Sequence, residues 1–306
     1  MKVRLSIGTR LISIIAIIAL VSLGFITGLV SWLVRQDLQA AAEDANFAIN
    51  RHTSAEAEAV ISNVRSNSQS LIRTIAAAGT GNAFSQNAVQ SFFEEHPQIA
   101  AIFFTAEAQK DGIVVSSRFF RSREIDEALA GSYRDEYAIN LRRAEAGETL
   151  LLNAAPHFAV PVLALFFPWQ GGGAGVLFSP EQLDDAFSFG ANRSYLINDS
   201  GDILIHADFE LVRDGANVAD SDFARYVWDS QERNSRTLYS GEDGTRYFMA
   251  FAKLNTGGCT VITGIEYGRV FEGIAVALRC NIYLSVAILL ISIIVIWFFA
   301  RGREQK

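Results

Sequence analysis

Two apolar runs without a charge bracket the chain. Leu11–Val34 is 24 residues long and Cys280–Ala300 is 21. A helix crosses a hydrocarbon core of ~30 Å with ~20 apolar residues, so each run has the length of a membrane span. Residues 35–78 contain neither Pro nor Gly. Within them Leu38, Ala42, Ala45 and Ile49 recur at spacings of three and four. Val60, Val64, Leu71 and Ile75 resume the stripe after a polar stretch at His52–Glu58. The spacing predicts a stalk helix over 35–79, stopped at Gly79–Gly81.

Beyond the stalk the period shortens toward two. Strands are predicted at Ile99–Thr105, Ile113–Phe120, Thr149–Leu152, Val160–Trp169 and Ala174–Ser179. Helices are predicted at Ser132–Ala146 and Pro180–Phe189, and Gly171–Gly173 reads as a loose hairpin. A similar series follows. Its strands are Tyr195–Ile197, Ile203–His206, Arg236–Tyr239, Arg246–Ala252 and Cys259–Ile265, with a helix at Ser221–Gln231. The expected fold class is α+β, a long N-terminal helix with two antiparallel-sheet modules, flanked by two transmembrane helices. The expected divisions are 1–10, a span at 11–34, the stalk at 35–79, a first module at 80–190 and a second at 191–266. An exit helix at 267–279 then leads to a span at 280–300 and a tail at 301–306.

Charge orients this plan. Lys2, Arg4 and Arg10 precede the first run, and Arg301, Arg303 and Lys306 follow the second. Cytoplasmic flanks carry the Lys/Arg excess, so both termini are expected inside a bacterial inner membrane and residues 35–279 outside it. The first run is too long for a signal-peptide core of ~7–15 residues, which favours an uncleaved anchor in lipid. The chain carries −7 and its flanks are basic, so the acidic excess falls on the outer segment. Nucleic acid is therefore not an expected partner. Gly24 and Gly28 form a small-residue pair suited to a homodimer of membrane helices. Two cysteines, Cys259 and Cys280, make no disulfide framework.

Candidate chemistry is sparse. His52, His96, His157 and His206 show no metal-ligand spacing, and His206-x-Asp208 reads as a turn network. Asp199–Asp202 lacks the ligand ladder of a calcium loop and reads as hairpin chemistry. No phosphate loop follows Gly171–Gly173, and no nucleophile elbow occurs. Neither a metal nor a cofactor is expected, nor an enzyme. Phe166, Phe167 and Trp169 are candidates to line an apolar pocket, with Arg118 and Arg134 as anchors for a carboxylate.

The stretch Tyr195-Leu-Ile-Asn-Asp-Ser-Gly-Asp-Ile-Leu-Ile-His-Ala-Asp208 resembles the membrane-proximal half of double Cache sensor regions of bacterial transmembrane receptors. Tyr239–Phe248 resembles their next hairpin, and Thr260–Glu266 their last strand before the exit helix. The resemblance extends over residues 11–300. It implies two PAS-like modules on a long helix outside the membrane, with an unknown small-molecule ligand in the distal module. Asp243–Phe248 and Val261–Glu266 look most similar to the input regions of membrane-bound class III adenylate/guanylate cyclases. Arg118, Tyr133, Arg134 and Tyr137 lie where amino-acid-binding members carry ligand residues. The Trp-Tyr pair of those members is missing, and Ser179 stands near their Asp, so the ligand class stays open. Such receptors continue into a HAMP linker and an output domain, whereas six residues follow Ala300 here. The expectation is a truncated, split or orphan receptor whose output is a separate cytoplasmic protein or lies in another reading frame. The alternative is a non-sensing membrane scaffold.

Overall fold

A computed structural model describes residues 7–78, 83–106, 109–170, 172–188, 193–241 and 244–303. The chain forms two compact units. One comprises Ala45–Ile265, and the other the two chain ends, up to Asp44 and from Glu266.

The larger unit holds two sheets. The first contains β1 (Ile99–Ala106), β2 (Gln109–Val115), β3 (Leu150–Asn153), β4 (Leu163–Trp169) and β5 (Gly172–Phe178), in the order β2-β1-β5-β4-β3. The second contains β6 (Arg193–Ile197), β7 (Ile203–His206), β8 (Asn234–Ser240), β9 (Arg246–Lys253) and β10 (Thr260–Glu266), in the order β7-β6-β10-β9-β8. Each sheet thus repeats one scheme, with its fifth strand at the centre. Ile102 lies opposite Val176 and Leu165 opposite Val176 on the other side, so β5 is covered at both edges.

The pleat divides the first module into two cores. Leu163, Leu165, Phe167 and Trp169 of β4 join one cluster, whose other members include Ile61, Val64 and Ile72. Ala164 and Phe166 point to the opposite face and pack with Phe103, Phe120, Tyr133 and Phe158. Alternation at period two is the direct cause.

α1 (Ile7–Ala78) runs 72 residues without a break. The polar stretch at His52–Glu58 does not interrupt it, because Thr53 and Ala57 are buried within the helix. Along 57–75 the buried stripe is apolar, as expected. Along 46–53 it is Asn46, Asn50 and Thr53, while Ala45 is exposed. Asn46 Nδ2 donates to Phe248 O at 3.0 Å, and Asn50 Nδ2 donates to Val261 O at 3.0 Å. Glu58 accepts from Asn255 N–H and Thr256 Oγ1, each at 2.7 Å, which ties the helix to the β9–β10 turn.

Several connections depart from the predicted pattern. The strand expected through Phe120 ends at Val115, because Ser116 Oγ accepts from Phe119 N–H and starts α3 (Ser117–Ser122). A polar N-cap outcompetes the apolar pair Phe119–Phe120 as a strand signal. The helix expected over Ser132–Ala146 is two, α4 (Ala128–Glu136) and α5 (Ala138–Glu145), which break at Tyr137. Short helices α2 (Ala83–Glu95), α6 (Ala155–Phe158) and α8 (Phe209–Arg213) were not anticipated, while α7 (Glu181–Ser188) and α9 (Asp222–Asp229) fall at predicted positions. Gly172 and Gly173 belong to β5 rather than to a loop. Asn153, at the end of β3, donates to Ile203 O and Val212 O and links the two modules.

In the smaller unit the end of the chain is α10 (Tyr267–Arg303). Arg35 lies 5.5 Å from the ring of Phe271, which is also 4.5 Å from that of Tyr267. Both segments expected as membrane spans are helical, and most of their described apolar side chains are exposed, Phe25 and Phe298 among them. Among the described residues no helix is long and apolar enough to cross a membrane. Side chains of Leu11, Ile12, Ile15 and Leu20 in the first run, and of Leu289, Ile293, Ile296 and Trp297 in the second, lie outside that set. A Cβ at Gly24 or Gly28 would meet nothing within 4 Å.

Candidate ligand-binding site

The six residues expected at a ligand site do not converge. Arg118 lies on α3 at the lip of a cleft. Tyr133 and Tyr137 pack in the core on the helix-covered face of the first sheet. Arg134 is turned away and pairs with Asp135 at 2.7 Å. Phe167 and Trp169 belong to the other face, with Arg65 5.5 Å from the Phe167 ring and Phe104 6.2 Å from that of Trp169. Phe166 and Phe167 cannot share a pocket, because neighbours on a strand point to opposite faces.

Around Tyr133 the structure builds an aromatic box. Tyr137 stacks on it at 4.3 Å, His157 meets it edge-on at 5.3 Å and Phe158 lies 5.6 Å away. The break between α4 and α5 puts the two tyrosines ring to ring. The short turn of α6 delivers His157, whose Nδ1 is 3.4 Å from Glu136 Oε2. Tyr133 is fully buried, yet among the described residues its hydroxyl has no hydrogen-bond partner, and neither has His157 Nε2. Buried polar atoms are nearly always paired; Ser68 Oγ, Trp169 Nε1 and Ser194 Oγ also lack a partner among the described residues, but only Tyr133 and His157 bring two such atoms into one ring contact. His157 carries no sequence signal of this role. Only the tertiary contact with Tyr133 reveals it.

A second feature is a cleft of ≈640 Å³ bounded by α1, α2, β2 and α3. Its walls include Ile75, Val89, Phe93 and Val114, with Arg118 and Arg121 at one side. The helical spacing of Val89, Phe92 and Phe93 is the sequence signal for α2.

Among the described residues no group of three or more His, Cys, Asp and Glu side chains could hold an ion. His206 Nδ1 accepts from Asp208 N–H at 2.9 Å, the turn network expected of it. Asn198 Oδ1 accepts from Ser200 and Asp202 N–H, which fixes the Asp199–Asp202 hairpin.

Burial pushes the Tyr133 hydroxyl far above the usual tyrosine range, and nearby Tyr137 and Glu136 add to it. Burial, with Tyr239 adding, does the same to Tyr195. The Cys259 thiol is also raised by burial, with Asp199 and Glu58 contributing. The folded chain keeps these protons after the unfolded chain has released them. Their stabilisation is therefore complete below the ordinary thiol value of 9.0 and is lost progressively above it, more steeply past the tyrosine value of 10.0. Thermal midpoints are expected to fall from about pH 9 upward through these groups. If Tyr133→Phe, Tyr195→Phe and Cys259→Ser together leave that slope unchanged, the assignment fails.

No known family profile and no curated protein matches this sequence. Solved structures do match. The extracellular domain of the histidine kinase soHK1S-Z6 aligns at a TM-score of 0.51 and 14% identity, over 78% of this chain and 98% of that one. The sensory domain of the Campylobacter jejuni chemoreceptor Tlp3 aligns at 0.51 and 12%, over 77% and 98%. That of Campylobacter jejuni Tlp1 aligns at 0.51 and 12%, over 77% and 98%. With the repeated sheets and the long first helix, the chain has the fold of Cache-type extracellular sensory domains of histidine kinases and chemoreceptors.

Proposed function

We propose that this chain is the extracytoplasmic input region of a membrane receptor, that it binds a small molecule in the first module, and that its work is recognition rather than catalysis. The observation that carries the reading is the orphan pair Tyr133 Oη and His157 Nε2, buried within a fold otherwise found in sensory domains. The Tlp3 domain of that fold was solved with isoleucine and with L-valine. By that likeness the ligand here is small, with a polar head for the two orphans and an apolar body for the aromatic box. Anchoring rests on the charge-free runs at 11–34 and 280–300 and on their exposed apolar helical surface, which water disfavours all round and lipid accepts. Basic flanks then put both termini in the cytoplasm. A second copy packing at Gly24 and Gly28 fits the open space there. The finer likeness to cyclase input regions rests on 243–248 and 261–266 alone.

A bound ligand shifts a receptor only by its differential affinity for the two states. β10 continues in sequence into α10, so a change at the second module has a covalent route toward the C-terminal end.

Tyr133→Phe tests the site. Removing an unpartnered buried hydroxyl is expected to be neutral within ~0.5 kcal/mol or mildly stabilising. A metabolite screen by thermal shift on the full chain is expected to find a stabilising compound, and Tyr133→Phe to weaken it about tenfold. If no compound class moves the midpoint, the sensing reading falls. If a hit binds equally to both proteins, the site is elsewhere.

A further inference from the structure

We propose that the cleft between α2 and the β2–α3 junction is a second, separate ligand site, built for an apolar monocarboxylate with Arg118 as its anchor. At ≈640 Å³ it has the size of a small-molecule pocket. Its apolar walls are Ile75 of α1, Val89 and Phe93 of α2, and Val114 of β2.

The arginines of α3 divide by occupation. Arg123 is committed, paired with Glu181 and lying 4.0 Å over the ring of Phe119. Arg121 Nε donates to Ser117 O at 3.1 Å, which folds it along its own helix. Arg118 makes neither a hydrogen bond nor an ion pair among the described residues, although it lines the cleft. A free guanidinium at the lip of an apolar cavity offers a planar fork that matches a carboxylate in two parallel hydrogen bonds. On the α2 side stand Glu94 and Gln90, the latter donating to Glu94 at 3.0 Å. That carboxylate repels a second negative charge. The site therefore selects a single carboxylate with an apolar body over a dicarboxylate or phosphate. None of Tyr133, Tyr137 and His157 lines this cleft, so the inference stands apart from the aromatic box.

An occupant would touch α1 and α2 on one side and β2 on the other. It would fix the end of the long helix to the edge strand of the first sheet.

Fluorine NMR on the full chain in lipid nanodiscs tests the site with 4-fluorobenzoate. Saturable binding is expected, and Arg118→Ala should weaken it at least about tenfold. Arg118 is exposed and has no pairing among the described residues, so this variant should keep the wild-type circular dichroism. Neither 4-fluorobenzyl alcohol, which has the same body without the charge, nor inorganic phosphate in competition should occupy the site. Tyr133→Phe should leave binding unchanged. Absence of saturable binding, full binding by Arg118→Ala, or equal binding by the alcohol overturns the proposal. So does displacement by phosphate, which would mean that only charge is read. Loss in Tyr133→Phe with Arg118→Ala intact would move the ligand to the aromatic box, overturning the cleft while supporting the first site.

Discussion

A chain carrying Gly173→Val is expected to lose the packing of the first module, its thermal midpoint falling by roughly 10 °C or more. Gly173 lies in β5 opposite Pro168 of β4, in the middle of the sheet. A Cβ there would overlap the backbone oxygen of Leu141 in α5 and come within 3.2 Å of Glu145 Cγ. The obstacle is a helix backbone, which no rotamer change can clear. Gly173 N–H also donates to Thr105 Oγ1 at 2.9 Å, so the strand is pinned from the other side. Overpacking costs ~1–3 kcal/mol when side chains can yield and more when backbone must move. At ~2–4 °C per kcal/mol for a unit of this size, about 3–5 kcal/mol gives the stated drop. Gly131 of α4 is the control, because a Cβ there would meet nothing within 4 Å. Gly131→Ala should gain ~0.5–1 kcal/mol through helix propensity and a less flexible unfolded chain. A Gly173→Val midpoint within about 2 °C of wild type would refute the close approach of α5 to β5.

The second large effect belongs to Asn46→Leu/Asn50→Leu. Asn50 is 0% exposed and its amide nitrogen donates to Val261 O at 3.0 Å and Ala250 O at 3.3 Å. One turn earlier, Asn46 donates to Phe248 O at 3.0 Å and Thr263 O at 3.4 Å. Leucine keeps the branching of the side chain, is the better helix former, and replaces the amide donors by methyl groups. Each lost hydrogen bond costs ~0.5–1.5 kcal/mol, so the pair of substitutions should destabilise by about 3 kcal/mol. Asn50 Oδ1 has no partner among the described residues, which keeps the figure below that for two fully satisfied amides. The damage should be local. Hydrogen exchange should accelerate in β9 and β10 and leave β1 and β5 near wild type. Equal acceleration in both sheets would show that the two asparagines do not dock the helix onto the second module in particular.

These two effects mark the reach of sequence reasoning. The helix over 35–78 was legible because it lacks Gly and Pro. Most strands were legible because their apolar positions alternate or run unbroken between turn residues. The buried face of α1 near Asn46 was not. Hydropathy places Ala42, Ala45 and Ile49 inward, but the sheet presents carbonyl groups, and amide donors fit them better than methyl groups do. That preference depends on atoms about 200 residues away in sequence. Gly171–Gly173 invited a hairpin because glycine favours turns. The helix that requires a missing Cβ at Gly173 is visible only once α5 lies on β5. Ser116 ended a strand in the middle of an apolar stretch because its hydroxyl met a neighbouring N–H.

The candidate site shows the same division. Residue type alone nominated Arg118, Tyr133, Arg134, Tyr137, Phe167 and Trp169. Local periodicity already separates Phe166 from Phe167 by face. It does not say that Arg134 spends its charge on Asp135, that Tyr133 meets His157, or that Arg118 stays unpaired. By itself the sequence determined the long first helix, most of the strands, the two-module order and the apolar, base-flanked ends, because those follow from short-range periodicity and composition. The tertiary structure alone decided which polar groups are satisfied and which are left waiting, because a hydrogen bond depends on atoms brought within about 3 Å, whatever their distance along the chain.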